Sequence, residues 1–172
     1  MDFLNLAKER YSCRSYLDKK VEKEKLEKIL EAGRVAPTAC NNQPQRILVL
    51  QNENTLEKLK EGVNVYNAPL VLIVCCDKTQ SWERVFDKKT STYIDASIVT
   101  DHMMLEATSL GLNSVWICYF NPNVIKKILN IPDNFEIINI LALGYGNDEK
   151  LSSERHSLTR KPLEKTTFYE KF

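Results

Sequence analysis

Hydrophobic and polar residues alternate along this chain with two different periods. In residues 22–34, apolar side chains recur every three or four positions among lysines and glutamates, which predicts an amphipathic helix. Residues 69–76, PLVLIVCC, form a nearly continuous run of β-branched and apolar residues, which is typical of a strand covered on both faces. Helical and extended patterns therefore follow one another along the sequence.

The same two patterns account for most of the remaining chain. Residues 92–110 form the longest helical pattern, and apolar side chains surround most of its circumference, which predicts a buried helix. The polar segment 78–91 is expected to be a mobile loop. Alternating strands and helices favour one α/β or α+β domain over residues 1–172, with a helix-covered sheet. Further helices are predicted at residues 2–9, 53–61 and 122–129, and further strands at residues 46–51, 114–119 and 135–143.

The C-terminal residues differ from the rest of the chain. Residues 147–161 are polar and resemble a loop, yet the chain ends in TTFYEKF, with aromatic side chains at Phe168, Tyr169 and Phe172. Chain ends usually fray, so three aromatic residues there need a surface that covers them. A tail extended over a second subunit and a tail packed on its own domain both satisfy this need, and we favour the first.

Composition narrows the range of partners. The chain has 24 Lys and Arg against 23 Asp and Glu, a net charge of +1, which gives no reason to expect nucleic acid as a partner. The longest apolar run, residues 70–76, is too short to cross a bilayer, so no membrane partner is expected either. The five cysteines include no C-x-x-C pair and the N-terminus has no signal-peptide pattern, which predicts free thiols and a cytoplasmic location.

Reactive side chains are scarce in the sequence. His102 and Glu106 lie four residues apart, but two ligands do not make a metal site, and no metal is expected. A cysteine nucleophile at Cys40 or Cys118 is conceivable, although inert thiols are commoner. The sequence contains neither a glycine-rich dinucleotide fingerprint nor a Walker loop. These observations favour a bound cofactor that carries the chemistry.

Two stretches could hold such a cofactor. In ERYSCRSY, residues 9–16, Arg10, Ser12 and Arg14 occupy alternate positions, so in an extended segment they share one face and could form a phosphate clasp; a solvated turn is equally compatible with this spacing. RVAPTACNNQPQ, residues 34–45, concentrates hydrogen-bonding side chains on one bend between two prolines.

Five motifs taken in order resemble the nitroreductase family of FMN-dependent oxidoreductases. They are ERYSCRSY, APTACNNQP, DASIVTDHMMLEATSLGLNSVWI, LALGYG and RKPLE, and together they span nearly the whole chain. The resemblance implies an α+β fold with a central mixed, mainly antiparallel sheet flanked by helices. It also implies an intertwined homodimer in which residues 147–172 extend over the partner and FMN lies at the interface.

The resemblance also implies a role for individual residues. Arg10 and Ser12 would hold the FMN phosphate, and Arg14 would lie at the phosphate–ribityl side or at the pyrimidine edge. The backbone near Cys118 and Tyr119 would lie at flavin N5. The remaining implied contacts are Pro37, Thr38, Ala39, Asn41 and Gln43 along the flavin, and Arg160 with Lys161 at the phosphate, Arg160 coming from the other subunit.

The implied activity follows from the cofactor. NAD(P)H would donate a hydride to FMN, and a nitroaromatic, quinone or similar small acceptor would then use the same place, which gives ping-pong kinetics. Two alternatives remain open: a flavin-binding module that stores or senses flavin without turnover, and a flavin enzyme of the reductive dehalogenase type. The sequence departs from the family at Gln45, where many relatives have an aromatic residue, and at Leu158 and Thr159, where a second basic residue is common.

Overall fold

A computed structural model describes residues 2–172 and confirms every predicted helix and strand, with ends shifted by at most two residues. One further helix, α6, was not predicted. The helices are α1 (Phe3–Glu9), α2 (Lys23–Val35), α3 (Glu53–Leu59), α4 (Thr92–Ser109), α5 (Pro122–Leu129) and α6 (Arg155–Thr159). The strands are β1 (Gln45–Leu50), β2 (Leu70–Asp77), β3 (Asn113–Ile117) and β4 (Phe135–Gly144).

The four strands form one antiparallel sheet in the order β1-β2-β4-β3. At one end of the sheet Leu143 of β4 pairs with Leu70 and Ser114, and at the other end Cys76 of β2 pairs with Gln45 and Glu136. The N-terminal segment adds one parallel pairing to this sheet, an isolated bridge between Ser12 and Ser114 of β3. The predicted α+β class is confirmed, and the mixed character of the sheet rests on that bridge.

Strand β2 lies at the centre of the core. Each of its eight residues is buried, as the uninterrupted apolar run predicted. Helices α2 and α4 pack on one face of the sheet, around a cluster that includes Leu72 and Val99. Residues of α3 and α5 cover the other face together with Tyr11 and Cys13. The N-terminal extended segment is therefore part of the core and not a loose extension.

Helix α4 is buried over most of its length. Ala96, Val99 and Met103 of α4 are fully buried, whereas Tyr93 and Ile94 remain 59% and 62% exposed. The predicted burial of this helix is therefore confirmed, except at its start, where the sheet and α2 leave part of its circumference uncovered in the single chain. The uncovered aromatic and aliphatic side chains belong to an exposed apolar surface at the start of α4.

The segment between β2 and α4 has local structure of its own, although a mobile loop was expected. Glu83 and Thr90 form an antiparallel bridge, and Arg84 pairs with Asp87 inside the turn. Residues 161–172 lie exposed beyond α6, and Phe168 stacks on Phe172 with ring centroids 4.9 Å apart. Of the helices in residues 2–172, none combines the length and the apolar character that a bilayer crossing requires.

Candidate functional site

The clasp, defined as Arg10, Ser12 and Arg14, lies on an extended segment with the predicted alternation. Tyr11 and Cys13 are buried in the core, and the clasp side chains face away from it. The segment is fixed beside β3 because the Cys13 N–H donates to the Ser114 carbonyl at 3.0 Å. The three residues therefore share one face, as a phosphate clasp requires.

Two further arginines act on the charge of the first clasp residue. Burial lowers the pKa of Arg10, and the positive charges of Arg155 and Arg160 lower it further, while Asp101 acts in the opposite direction. We call Arg10, Arg155 and Arg160 the cation cluster. An anion placed among them would relieve the repulsion between like charges, so this position suits a phosphate.

The cation cluster bears on two of the sequence-based expectations. The charge of Arg160 acts on Arg10 of its own chain, and the contribution of Arg160 to the site of the other subunit stays a prediction. Helix α6 also lies on the chain's own N-terminal segment, because Arg155 donates to the carbonyls of Lys8 at 3.1 Å and Arg10 at 2.6 Å. The extension of residues 147–172 over a partner subunit stays a prediction. Lys161 is exposed and makes no hydrogen bond or ion pair within residues 2–172.

Arg155 is a basic residue beside Arg10 in a chain that has Leu158 and Thr159 just before Arg160. It was not predicted from the sequence because it lies five residues before Arg160, in a stretch interpreted as a polar loop. The helical turn of α6 brings both side chains towards Arg10. A helical pattern in RHSLT was the only signal, and five residues are too few to establish one.

Asp148 fixes the clasp from its buried side and was also missed. Its Oδ1 accepts from the Tyr11 hydroxyl at 2.9 Å, and its Oδ2 accepts from the Arg14 N–H at 3.0 Å. The Cys13 thiol lies 3.2 Å from Oδ1, and burial raises the pKa of this thiol to about 11, which keeps it protonated. Burial would raise the pKa of Asp148, but these hydrogen bonds outweigh burial and lower it.

The amide loop, defined as residues 37–43, has a strained backbone. Cys40, Asn41 and Gln43 have φ values of 52°, 55° and 50°, a region that residues other than glycine rarely occupy. The Thr38 hydroxyl accepts from the Gln43 N–H at 3.1 Å, and the Gln43 side chain donates to the Asn41 carbonyl at 3.2 Å. Strain held in place by such contacts is common at ligand-binding loops.

The buried carboxylate of Asp95 anchors the amide loop to α4. Asp95 is 1% exposed, and it accepts from the Ala39 N–H at 2.9 Å and from the Ser91 hydroxyl at 2.7 Å. No pattern in the sequence indicates this role, since Asp95 lies in a mostly apolar helix. Pro37 is exposed and precedes the strained turn.

The end of β3 borders a cavity of about 780 Å³. Cys118 and Tyr119 follow the last paired residue of β3, and both are exposed. Trp116 lines the same cavity, and its indole N–H donates to Asn139 at 2.8 Å. Asn139 is buried and donates in turn to Thr100 of α4 at 3.2 Å, so the cavity wall is tied to the helix.

Two buried polar atoms lack a partner within residues 2–172. One is the hydroxyl of Ser114, which is 2% exposed and belongs to the residue bridged to Ser12. The other is Oε1 of Gln45, directly after the amide loop and Pro44. Both atoms belong to residues that adjoin the stretches selected from the sequence. In the same part of the chain, no three His, Cys, Asp or Glu side chains are grouped as metal ligands would be.

The clasp and the amide loop lie at opposite ends of the sheet. The clasp adjoins Ser114, which pairs with Leu143 at the end of the sheet where Leu143 also pairs with Leu70. The amide loop precedes Gln45, which pairs with Cys76 at the opposite end. Six residues of β2 separate these two ends, which is about 20 Å along the strands. One chain therefore brings the clasp and the end of β3 to one sheet edge and presents its amide loop elsewhere.

Comparison with known proteins gives a consistent result. A family model described as the nitroreductase family matches residues 7–65 and 57–145. A protein of Methanothermobacter thermautotrophicus, provisionally named NADH dehydrogenase/NAD(P)H nitroreductase, is 33% identical over 84% of this chain and 78% of its own. A nitroreductase family protein of Clostridium difficile 630 is 55% identical, with both chains fully covered and a TM-score of 0.98. An FMN-dependent nitroreductase of Clostridium difficile R20291 is 29% identical, covers 99% and 100% of the two chains, and has a TM-score of 0.83.

Proposed function

Because this chain belongs to the nitroreductase family, we propose that it is an FMN-dependent oxidoreductase that moves two electrons from NAD(P)H to a small acceptor, such as a nitroaromatic or a quinone, by a ping-pong mechanism. The relative from Clostridium difficile R20291 is named as FMN-dependent, which supports the choice of cofactor. The chemistry that FMN supplies when bound is hydride exchange at N5 of its ring.

The cation cluster beside Ser12 is the observation that carries this proposal. A flavin phosphate has close to two negative charges, and its removal from water is costly unless cations and hydroxyl groups replace the lost hydration. The positive charges of Arg10 and Arg160 act on one another, and Ser12 adds a hydroxyl on the face of Arg10. The residues of this site therefore fit the phosphate of FMN.

The edge of β3 fits the rest of the cofactor. Ser114, beside Ser12, and Cys118 are four residues apart, which is about 13 Å along an extended strand. Trp116 and Cys118, which line the cavity, and the neighbouring Tyr119 would hold the ribityl chain and the ring. Backbone N–H groups beyond the end of the ladder are free to donate to the ring.

We assign the amide loop at each site to a second copy of the chain. The clasp and the amide loop of one chain are too far apart to contact one flavin together. Helix α4 also lies between the amide loop and the cavity, because its Asp95 bonds to the loop whereas its Tyr93 and Ser97 line the cavity. The exposed Tyr93 and Ile94 and the aromatic tail supply apolar surface for this homodimer. Thr38, Ala39 and Asn41 of the partner would then cover the ring.

The chain's own residues have three tasks in the proposed mechanism. The cation cluster binds the phosphate and places the ring against β3. Arg14 adds positive charge on the clasp face, which favours electron-rich states of a bound flavin. The cavity beside Cys118 admits the donor first and the acceptor second, and this sequential use of one space is the physical basis of the ping-pong order.

An anaerobic titration tests the proposal. The flavin-loaded protein should be yellow, lose its colour on addition of NADH or NADPH, and regain it when a nitroaromatic is added. Flavin that neither nucleotide bleaches would contradict the proposal and favour a flavin-binding module. Recovery with a halogenated phenol but not with a nitroaromatic or a quinone would instead favour the dehalogenase type. Protein that fails to take up FMN would contradict all three functions.

A further inference from the structure

We propose that Asp148 is a positioning residue that gives the clasp its selectivity for a phosphorylated flavin, an inference that rests on the proposed function. One carboxylate contacts three of the four residues from Tyr11 to Arg14. None of these contacts involves a clasp side chain. Asp148 therefore acts on the backbone and on the buried side of the segment, and it leaves Arg10, Ser12 and Arg14 free for an anion.

The two carboxylate oxygens of Asp148 contact different parts of the segment. Oδ1 accepts from the Tyr11 hydroxyl and adjoins the Cys13 thiol, which fixes the buried side of the segment. Oδ2 accepts from the Arg14 N–H, which fixes the backbone on which the second clasp cation stands. A carboxylate offers two charged acceptor oxygens at once, whereas an amide offers one neutral acceptor oxygen and one NH₂ donor, so asparagine cannot accept from both Tyr11 and Arg14 and keeps at most weaker, uncharged contacts.

The residues around Asp148 hold it close to the segment. Tyr16 and Gly146 form an antiparallel bridge, and the Asn147 N–H donates to the Ser15 carbonyl at 2.9 Å. A Cβ atom on Gly146 would lie 3.1 Å from the Cys13 sulfur and 2.8 Å from Oδ1 of Asn113. The lack of a side chain at Gly146 thus permits the close approach that brings Asp148 under the clasp.

The charge of Asp148 and its proposed positioning role predict opposite changes in FMN affinity when the residue is substituted. A negative charge close to a phosphate site weakens anion binding, so by electrostatics alone the removal of that charge should tighten FMN binding. If Asp148 positions the clasp, the same substitution should weaken FMN binding, because Arg10 and Arg14 lose their fixed spacing. The sign of the change therefore separates the two interpretations.

The test compares FMN with riboflavin, which has the same ring and lacks the phosphate. Flavin-free, full-length Asp148→Asn protein is titrated with each ligand, and flavin fluorescence gives the two dissociation constants. We expect FMN to bind roughly tenfold more weakly than to the wild type, since a hydrogen bond to a charged group is lost, while riboflavin binding stays within about twofold. Glu149→Gln is the matched control, because Glu149 is exposed and makes no hydrogen bond or ion pair within residues 2–172.

Two results would overturn the inference about Asp148. Unchanged or tighter FMN binding would show that only its charge matters, and equal losses for FMN and riboflavin would show general damage to the fold. If Asp148→Asn does not fold, Tyr11→Phe removes one of the contacts and should weaken FMN alone by about two- to fivefold; no change would again overturn the inference. Wild-type protein that binds both ligands equally would contradict the phosphate site itself and thus the proposed function.

Discussion

At the scale of single residues, Arg10 has two roles: its backbone contacts helix α6, and its side chain is proposed to bind the phosphate of the cofactor. The positive charges of Arg155 and Arg160 lower the pKa of the Arg10 guanidinium, and the Arg10 carbonyl accepts from Arg155. Such a group of like charges is unfavourable in isolation and becomes favourable when a dianion enters it. FMN binding and the stability of this corner of the molecule should therefore be linked.

Arg10→Ala should weaken FMN binding by about 1.5–3 kcal/mol, roughly 10- to 100-fold, because the phosphate loses a charge-assisted partner. A flavin-fluorescence titration measures the change. Arg34→Ala is the matched control, since Arg34 is exposed on α2 and pairs with Glu31. Equal affinity of the Arg10 variant and the wild type would show that the clasp does not hold the phosphate.

The residues that sequence alone predicted differ in kind from those it missed. Arg10, Ser12 and Arg14 follow a local rule, since alternate residues of an extended segment share a face. Asp148 and Tyr11 are 137 residues apart in the sequence, and no local pattern links them. Asp95 likewise looks like one more helical residue until the fold brings Ala39 next to it. Contacts that depend on tertiary packing need the structure.

At the scale of elements, α4 connects the parts of the site. Its first turn holds the amide loop through Asp95, Thr100 supports the cavity wall through Asn139, and Asp101 lies near Arg10. The length and apolar character of α4 were evident from the sequence, and so was the central position of β2. Helix α6 was not, because a five-residue helix is stabilised by its contacts with α1 and not by its own pattern.

Asp95→Ala should loosen the amide loop and lower the free energy of unfolding by about 1–3 kcal/mol, because the buried Ala39 N–H loses its acceptor. Urea unfolding monitored by circular dichroism measures this change. Asp95→Asn is the matched control, since its amide oxygen can still accept from Ala39 and its NH₂ can donate to Ser91. The interpretation fails if the alanine and asparagine variants have the same stability.

At the scale of the whole molecule, the single chain leaves apolar surface uncovered. Tyr93 and Ile94 on α4 and Phe168, Tyr169 and Phe172 in the tail are all more than half exposed. The tail aromatics were predicted from the sequence to need a surface that covers them, and they are exposed in the single chain. In the proposed homodimer, a second chain covers them.

Removal of residues 162–172 should weaken the homodimer by at least about tenfold while the monomer stays folded, because the tail adds nothing to the chain's own core. Sedimentation equilibrium measures the dissociation constant, and the truncation leaves the cation cluster intact. As the control, Lys171→Ala alters the tail but keeps its aromatic residues. An unchanged dimer after truncation would assign the tail to another role.

The central claim is that each flavin site combines the clasp of one chain with the amide loop of another, and a subunit-mixing experiment tests it most directly. Arg10→Ala/Arg14→Ala disables the clasp, and Thr38→Ala/Asn41→Ala disables the loop. Heterodimers of the two variants, purified through two different tags, contain one site in which both parts are intact. We predict one tightly bound FMN per heterodimer and none in either parent homodimer. Heterodimers that bind no FMN tightly would contradict the claim, because that result requires clasp and loop to act within the same chain.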